Sequence, residues 1–202
     1  TADHAVADVP QYLLDNRVPA GYFSDDHVKA MLDEFLAPYF PGKQIISNIS
    51  NDQIFLNHDA FQKDPKLTGM DMFIASEVIG KFLMAQEGVA NYYTEAMLRQ
   101  GDYDEQGIRG MYNRGFHAKR SGDIVIQLEP GWFDSGSIQG TTHGSPYPYD
   151  THVPIIFFGK GIKKGSSVRY HSITDIAPTI SIMLNIQFPN GCTGQPVEEL
   201  FD

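Results

Sequence analysis

The sequence predicts an α/β fold in which helices cover a sheet. Three observations carry that expectation. Asp123-Ile124-Val125-Ile126-Gln127-Leu128 and Val153-Pro154-Ile155-Ile156-Phe157-Phe158 are apolar, β-branched runs, the pattern of strands buried on both faces. Segments with helical apolar spacing alternate with short strand-like ones. Gly and Pro punctuate the boundaries, at Pro41-Gly42, Pro130-Gly131 and Gly159.

In order, Asp3 to Pro10 reads as a strand end entering a loop. Ser24 is a helix N-cap, followed by Val28, Met31, Leu32, Phe35 and Leu36 at i, i+3, i+4 spacing. Pro41-Gly42 stops that helix. Ile45–Ile49 and Ile54–Leu56 flank Ser50-Asn51-Asp52, a hairpin signal. Asp71 to Gln86 predicts a second helix, with Phe73, Ile74, Val78, Phe82 and Leu83 mostly on one side. A strand near Val89 to Tyr93, a helix near Glu95 to Arg99 and a further helix over Asp104 to Tyr112 follow. After the two apolar strands, Asp175 to Leu184 is the last helix, with Pro178 tolerated in its first turn. No repeat or linker is present.

The chain is long enough for one domain with a hydrophobic core. Hydrophobic residues make up 42% and charged residues 20%. No apolar run approaches the ~20 residues of a bilayer span, so no membrane partner is expected. The start shows no basic segment leading into an apolar one, and no signal peptide is read there. The formal charge is −10, from 25 acidic and 15 basic residues. Such a surface repels nucleic-acid backbones and argues against a DNA- or RNA-binding role. Cys192 is the single cysteine, which excludes an intrachain disulfide and Cys-based zinc motifs. Any metal must be held by His and carboxylates.

Two constellations are placed for such chemistry. Asp3 directly precedes His4, and a turn just past a strand end can bring both side chains onto one ion. Further on, Gly140-Thr141-Thr142-His143-Gly144-Ser145-Pro146-Tyr147-Pro148-Tyr149-Asp150-Thr151-His152-Val153-Pro154 is a polar, Gly/Pro-punctuated loop running into an apolar segment. Loops at strand ends of α/β sheets are where ligands sit. His143, flanked by Gly144 and near Gly140, and His152 are its candidates. Taken by themselves, a surface carboxylate beside a half-buried imidazole, and a turn-rich loop with solvent-facing histidines, are the favoured readings.

Together these segments resemble a known family. Thr1-Ala2-Asp3-His4-Ala5 resembles the Thr-Ser/Ala-Asp-His-Gly signature of alkaline phosphatases and nucleotide pyrophosphatase/phosphodiesterases. Thr142-His143-Gly144, then Asp150 to Ile155 and Gly159-Lys160-Gly161, resembles the superfamily's Thr-His-Gly segment. Lys119 to Ile124 with Glu129-Pro130-Gly131-Trp132 resembles the strand before the last ligand. Ile173 to Ile180 with Pro189 and Gly194 resembles the C-terminal helix and tail. Residues 22–114 match only loosely and read as a family-specific inserted α+β segment. The resemblance is to the C-terminal part of an alkaline-phosphatase-like domain spanning 1–202, with a mostly parallel sheet flanked by helices.

That resemblance implies two zinc ions. Asp3 and His4 fall on ligands of the zinc that activates the nucleophile, and His143 on a ligand of the other. His152 falls beside a ligand, in a supporting position. Ala5 stands where Gly is usual. The family's remaining Asp ligands, its Asp-x-x-x-His pair and its Ser/Thr nucleophile precede the Asp-His motif, so no catalytic nucleophile is assigned within 1–202. The isolated chain is expected to be inactive. The implied activity is hydrolysis of small phosphate monoesters through a covalent phospho-enzyme. A phosphodiesterase or nucleotide pyrophosphatase, or a non-catalytic fragment, are the alternatives. His4 argues against the calcium-binding sulfatase branch, because imidazole suits zinc and hard calcium prefers oxygen. Relatives of this kind imply a periplasmic or secreted location.

Weaker signals carry bland readings. Gly159 to Gly165 is glycine- and lysine-rich but lacks P-loop spacing, and reads as a surface hairpin. Asn48-Ile49-Ser50 is a glycosylation triplet of a common kind. His27, His58, His117 and His171 are isolated. Met70, Met72, Phe73 and Tyr92-Tyr93 read as core or lid packing.

Overall fold

A computed structural model describes residues 1–62, 71–103, 105–135 and 138–201. Met70 and Asp104, named above for packing and as a helix start, lie outside the described residues. The chain divides into two compact units, residues 2–154 and residues 155–202 with Thr1.

The first unit is built around a four-stranded sheet in the order β2-β3-β5-β4, with β2 at Ile46–Ser50, β3 at Gln53–Leu56, β4 at Val89–Thr94 and β5 at Ile124–Leu128. Every residue of β5 is buried, Gln127 included, as the mostly apolar run predicts for a strand covered on both faces. β2 and β3 are joined by Asn51 and Asp52, whose φ values of 51° and 58° are both left-handed. Two such residues match the twist of a tight hairpin. All pairings in this sheet are antiparallel. Parallel pairing occurs between β1 (Gly21–Tyr22) and β6 (Trp132–Phe133). The α/β class holds, but in this segment the larger sheet runs antiparallel; for β2 and β3 the reason is local, because a two-residue turn cannot return a strand in parallel.

α1 (Pro10–Asp15) precedes β1. Helix α2 (Asp25–Leu36) packs on β2, and α4 (Met72–Leu83) on β4; α3 (His58–Gln62) lies between them in sequence. The core they enclose includes Val28, Leu32, Ile54, Ile79, Leu83 and Ile124. The Ser24 start of α2 is as read from the sequence. At α4 the buried face differs from the expected one. Ala75, Ser76, Ile79, Gly80 and Leu83 face inward, while Phe73 is 59% exposed. Small residues let α4 approach closely: a Cβ at Gly80 would collide with the Tyr92 ring of β4. That demand for close contact, rather than side-chain size, selects the inward face. Asp71 caps the helix by accepting from Ile74 N at 2.9 Å. α5 (Glu95–Arg99) is where it was expected, and α6 (Gly107–Gly115) begins later than the sequence reading. β3 and β4, both within 22–114, pair with β5 outside it, and β2 joins the same sheet through β3. That stretch therefore shares one core with its flanks.

At one edge of the core, Asp123 is 8% exposed and accepts from Leu56 N and His58 Nε2, both at 2.7 Å. His58, unassigned from sequence, thus ties β3 to the start of β5.

The second unit holds a 3₁₀ turn at Ile173–Asp175 and helix α8 (Ile176–Leu184); α7 (Pro148–Thr151) belongs to the first. Ser172 and Asp175 form a capping box. Asp175 Oδ1 also accepts from Gln195 N at 2.9 Å, and Thr179 Oγ1 from Val197 N at 2.9 Å. These bonds hold the tail against the helix start. Asn185, at φ 52°, ends α8 in the left-handed conformation. The strand expected over Val153 to Phe158 is not formed among the described residues. Ile156 is 75% exposed and Phe158 fully exposed. An apolar run becomes a buried strand only when neighbouring strands supply its ladder, and none pairs with it here. Gly159 to Gly165 forms turns without a strand pair.

Candidate active site

Residues 3–7 run alongside the 141–150 loop and are pinned to it by backbone hydrogen bonds. Ala5 N donates to Asp150 O at 2.8 Å and Ala7 N to Thr142 O at 3.0 Å. Thr141 Oγ1 donates to Ala7 O. This pairing brings together two side chains remote in sequence: the His4 and His143 rings stack in parallel, with centroids 3.4 Å apart and planes 8° from parallel.

His4 is fixed further by its own neighbours. Its Nδ1 lies 2.7 Å from Ala5 O. A carbonyl oxygen can only accept, so Nδ1 carries the proton and donates. Nε2 is then directed toward Asp3, with Oδ2 at 3.5 Å. Tetrahedral ligands held at ~2.0–2.2 Å from one ion stand roughly 3.3–3.6 Å apart. The Asp3–His4 separation therefore suits two ligands of a single small cation, and a backbone carbonyl on the other ring nitrogen is the usual support of a metal-binding imidazole. These two donors do not complete a site: among the described residues no group of three or more His, Cys, Asp or Glu side chains is arranged to hold an ion.

His143 is exposed on its loop, and Asp150 holds that loop in shape. Asp150 is 2% exposed, and its Oδ2 accepts from Gly144 N and Ser145 N, both at 2.7 Å. Gly144 adopts φ 120°, a backbone conformation that side chains resist, and this turn aims both N–H groups at the carboxylate. His152 caps α7 through its backbone, with its N donating to Pro148 O at 2.9 Å, and is exposed.

A cleft of about 110 Å³ opens beside His143. Asp52, Asp134 and Asp150 line it with the rings of Tyr112, Trp132 and Tyr149. Sequence reading passed over Asp52 and Asp134; Asp52 stood out only as a turn residue. Burial, then the charges of Asp25 and Asp134, push the Asp52 carboxyl up to about 7. Burial and Asp134 push Asp25 up to about 6.

A folded-state value above the ordinary 3.8 means that the folded protein holds its Asp52 proton to higher pH than the unfolded chain does. Stability must then fall as pH rises from about 4 through about 7. Asp52→Asn removes the titrating group. It is expected to flatten that dependence and to raise stability at pH 8 by about 1–3 kcal/mol. Urea unfolding of wild type and variant at pH 5 and pH 8 checks this, and equal pH slopes in the two proteins would contradict it.

No family model matches the chain. Fold and sequence nevertheless make it a segment of the alkaline phosphatase superfamily. It is 33% identical over 202 residues to alkaline phosphatase PafA of Elizabethkingia meningoseptica, covering 99% of this chain and 36% of that protein. It is 36% identical over 204 residues to a protein of Myroides odoratus named calcium-transporting ATPase, covering 100% and 36%. Alkaline phosphatase PhoV of Synechococcus elongatus is 32% identical over 200 residues, covering 99% and 35%. The crystal structure of wild-type PafA superimposes with a TM-score of 0.86 at 29% identity, over 100% of this chain and 37% of that one. The chain thus spans about a third of the length of these relatives. Among the described residues, no helix is long and apolar enough to cross a membrane.

Proposed function

We propose that this chain supplies part of the two-zinc active site of a phosphate monoester hydrolase. The juxtaposition of His4 with His143, reached through the pairing of residues 3–7 with the 141–150 loop, is the observation that carries the reading. Similarity to alkaline phosphatases along the whole chain supports it.

In this reading Asp3 and His4 hold one zinc and His143 the other, with His152 in a supporting position. Zinc, when bound, supplies Lewis acidity that neutralises negative charge gathering on the phosphoryl oxygens. The chain's own residues do the positioning. The Ala5 carbonyl fixes the His4 tautomer, so that Nε2 presents its lone pair. Asp150 fixes the loop that presents His143. No residue of 1–202 is assigned as nucleophile; a Ser or Thr elsewhere in the protein forms the covalent phospho-enzyme, and water then releases phosphate. By family resemblance the protein works in the periplasm or outside the cell, as one domain to which 1–202 contributes the C-terminal part and 22–114 a family-specific stretch.

The test uses the full-length protein and an aryl phosphate at alkaline pH. Hydrolysis should fall at least tenfold on removal of metal with a chelator and return when zinc is restored. Activity that survives complete metal removal, or no hydrolysis under any metal loading, would sink this reading.

A further inference from the structure

The cleft beside His143 has a chemical character of its own. Three carboxylates line it, from Asp52, Asp134 and Asp150, and among the described residues no Lys or Arg does. Two of the three leave a buried oxygen without a hydrogen-bond partner: Asp52 Oδ1 and Asp150 Oδ1. Asp150 is 2% exposed, so little of its carboxylate meets bulk water. A buried carboxylate oxygen without a donor is costly, and a hydrogen-bond donor or a cation is what satisfies it. The rings of Tyr112, Trp132 and Tyr149 share the rest of the wall with His143 and the polar Asn51, Thr142 and Ser145. Aromatic faces attract cations through the ring quadrupole. At about 110 Å³, the space takes several water-sized groups, enough for a short alkyl chain and small for a nucleoside.

We propose that this cleft is the leaving-group subsite of the phosphatase, and that it selects phosphate monoesters whose alcohol ends in a primary ammonium. The inference rests on the phosphatase reading above and names its substrate class. The ammonium supplies the N–H donors that the two carboxylate oxygens lack, and its charge offsets the acidic wall. A quaternary ammonium would satisfy the charge but offer no N–H. An anionic leaving group would meet three carboxylates and be repelled. The chemistry is ordinary ester hydrolysis: the ester P–O bond breaks, the alcohol leaves with a proton, and a water oxygen ends on phosphorus.

The experiment compares kcat/KM for 2-aminoethyl phosphate and propyl phosphate in the full-length, zinc-loaded protein. The two esters have equal chain lengths and differ in charge and N–H donors. Wild type should prefer the aminoethyl ester by about tenfold or more. Asp52→Asn and Asp134→Asn should each shrink that ratio at least threefold. A ratio corrects for partial misfolding of a variant, and Asp134 is an exposed position at which misfolding is not expected. Hydrolysis of both esters with a wild-type ratio of one or less overturns the proposal and leaves the phosphatase reading standing. A wild-type preference that neither variant reduces also overturns the proposal, because the selection then lies elsewhere. If p-nitrophenyl phosphate is not hydrolysed either, the phosphatase reading fails and this inference with it.

Discussion

His143→Ala in the full-length protein is expected to lower turnover of an aryl phosphate by on the order of a thousandfold or more. The physical argument is ligand number. A zinc that keeps one position open for substrate has no spare protein ligand, and losing one removes the ion or its orientation. Losing a metal's Lewis acidity removes several kcal/mol of transition-state stabilisation, and each ~1.4 kcal/mol is tenfold in rate. His152→Ala should cost only about ten- to a hundredfold, as a change beside the ligands rather than among them. The order of the two is the decisive result, read with one substrate at saturating zinc. The proposed order draws on one difference between two exposed side chains: His143 stacks on His4, whereas His152 sits at the end of α7. A more damaging His152→Ala would move the ligand assignment to His152.

Asp150→Ala should produce the second large effect, on stability and activity together. The variant loses two short bonds from a buried carboxylate to Gly144 N and Ser145 N. Hydrogen bonds to charged groups contribute about 1.5–3 kcal/mol each, and two on one carboxylate are not additive. A loss of about 3 kcal/mol is expected, read as a lower urea midpoint. The Gly144 turn would lose what holds it in its left-handed conformation, and His143 would lose its fixed approach to His4. Turnover should therefore fall about tenfold or more beyond any loss of folded protein. An unchanged midpoint would show that the loop is held by other contacts.

Much of the frame is legible in the sequence because local rules decide it. The i, i+3, i+4 pattern after Ser24 sets α2, although the Ser24 side chain makes no capping bond, and Asn51-Asp52 between two apolar runs set the β2–β3 turn. The mostly apolar, β-branched run of β5 announced a strand buried on both faces. The inward face of α4 was misread because hydrophobic size favoured Phe73 and Ile74, while the helix meets β4 through Gly80. The run from Val153 to Phe158 was misread because its apolar pattern says what the segment can bury against and not whether a neighbour stands beside it. Asp52 gave only a turn signal and Asp134 none, since neither sits in a catalytic motif and each matters here through the cleft it shares.

By itself, the sequence determined the α/β class, most elements, the superfamily, and the candidacy of Asp3, His4, His143 and His152. Only the tertiary structure decided that His4 and His143 stack, that Asp150 is the buried anchor of their loop, and that acidic and aromatic side chains from separate elements line one cleft. The reason is physical. Periodicity, caps and turns are set within a few residues of chain, and a motif can be read where it stands. Contact between residues 3–7 and the 141–150 loop depends on backbone hydrogen bonds between distant segments, and on the burial that makes those bonds strong. Neither is encoded at any single stretch of the chain.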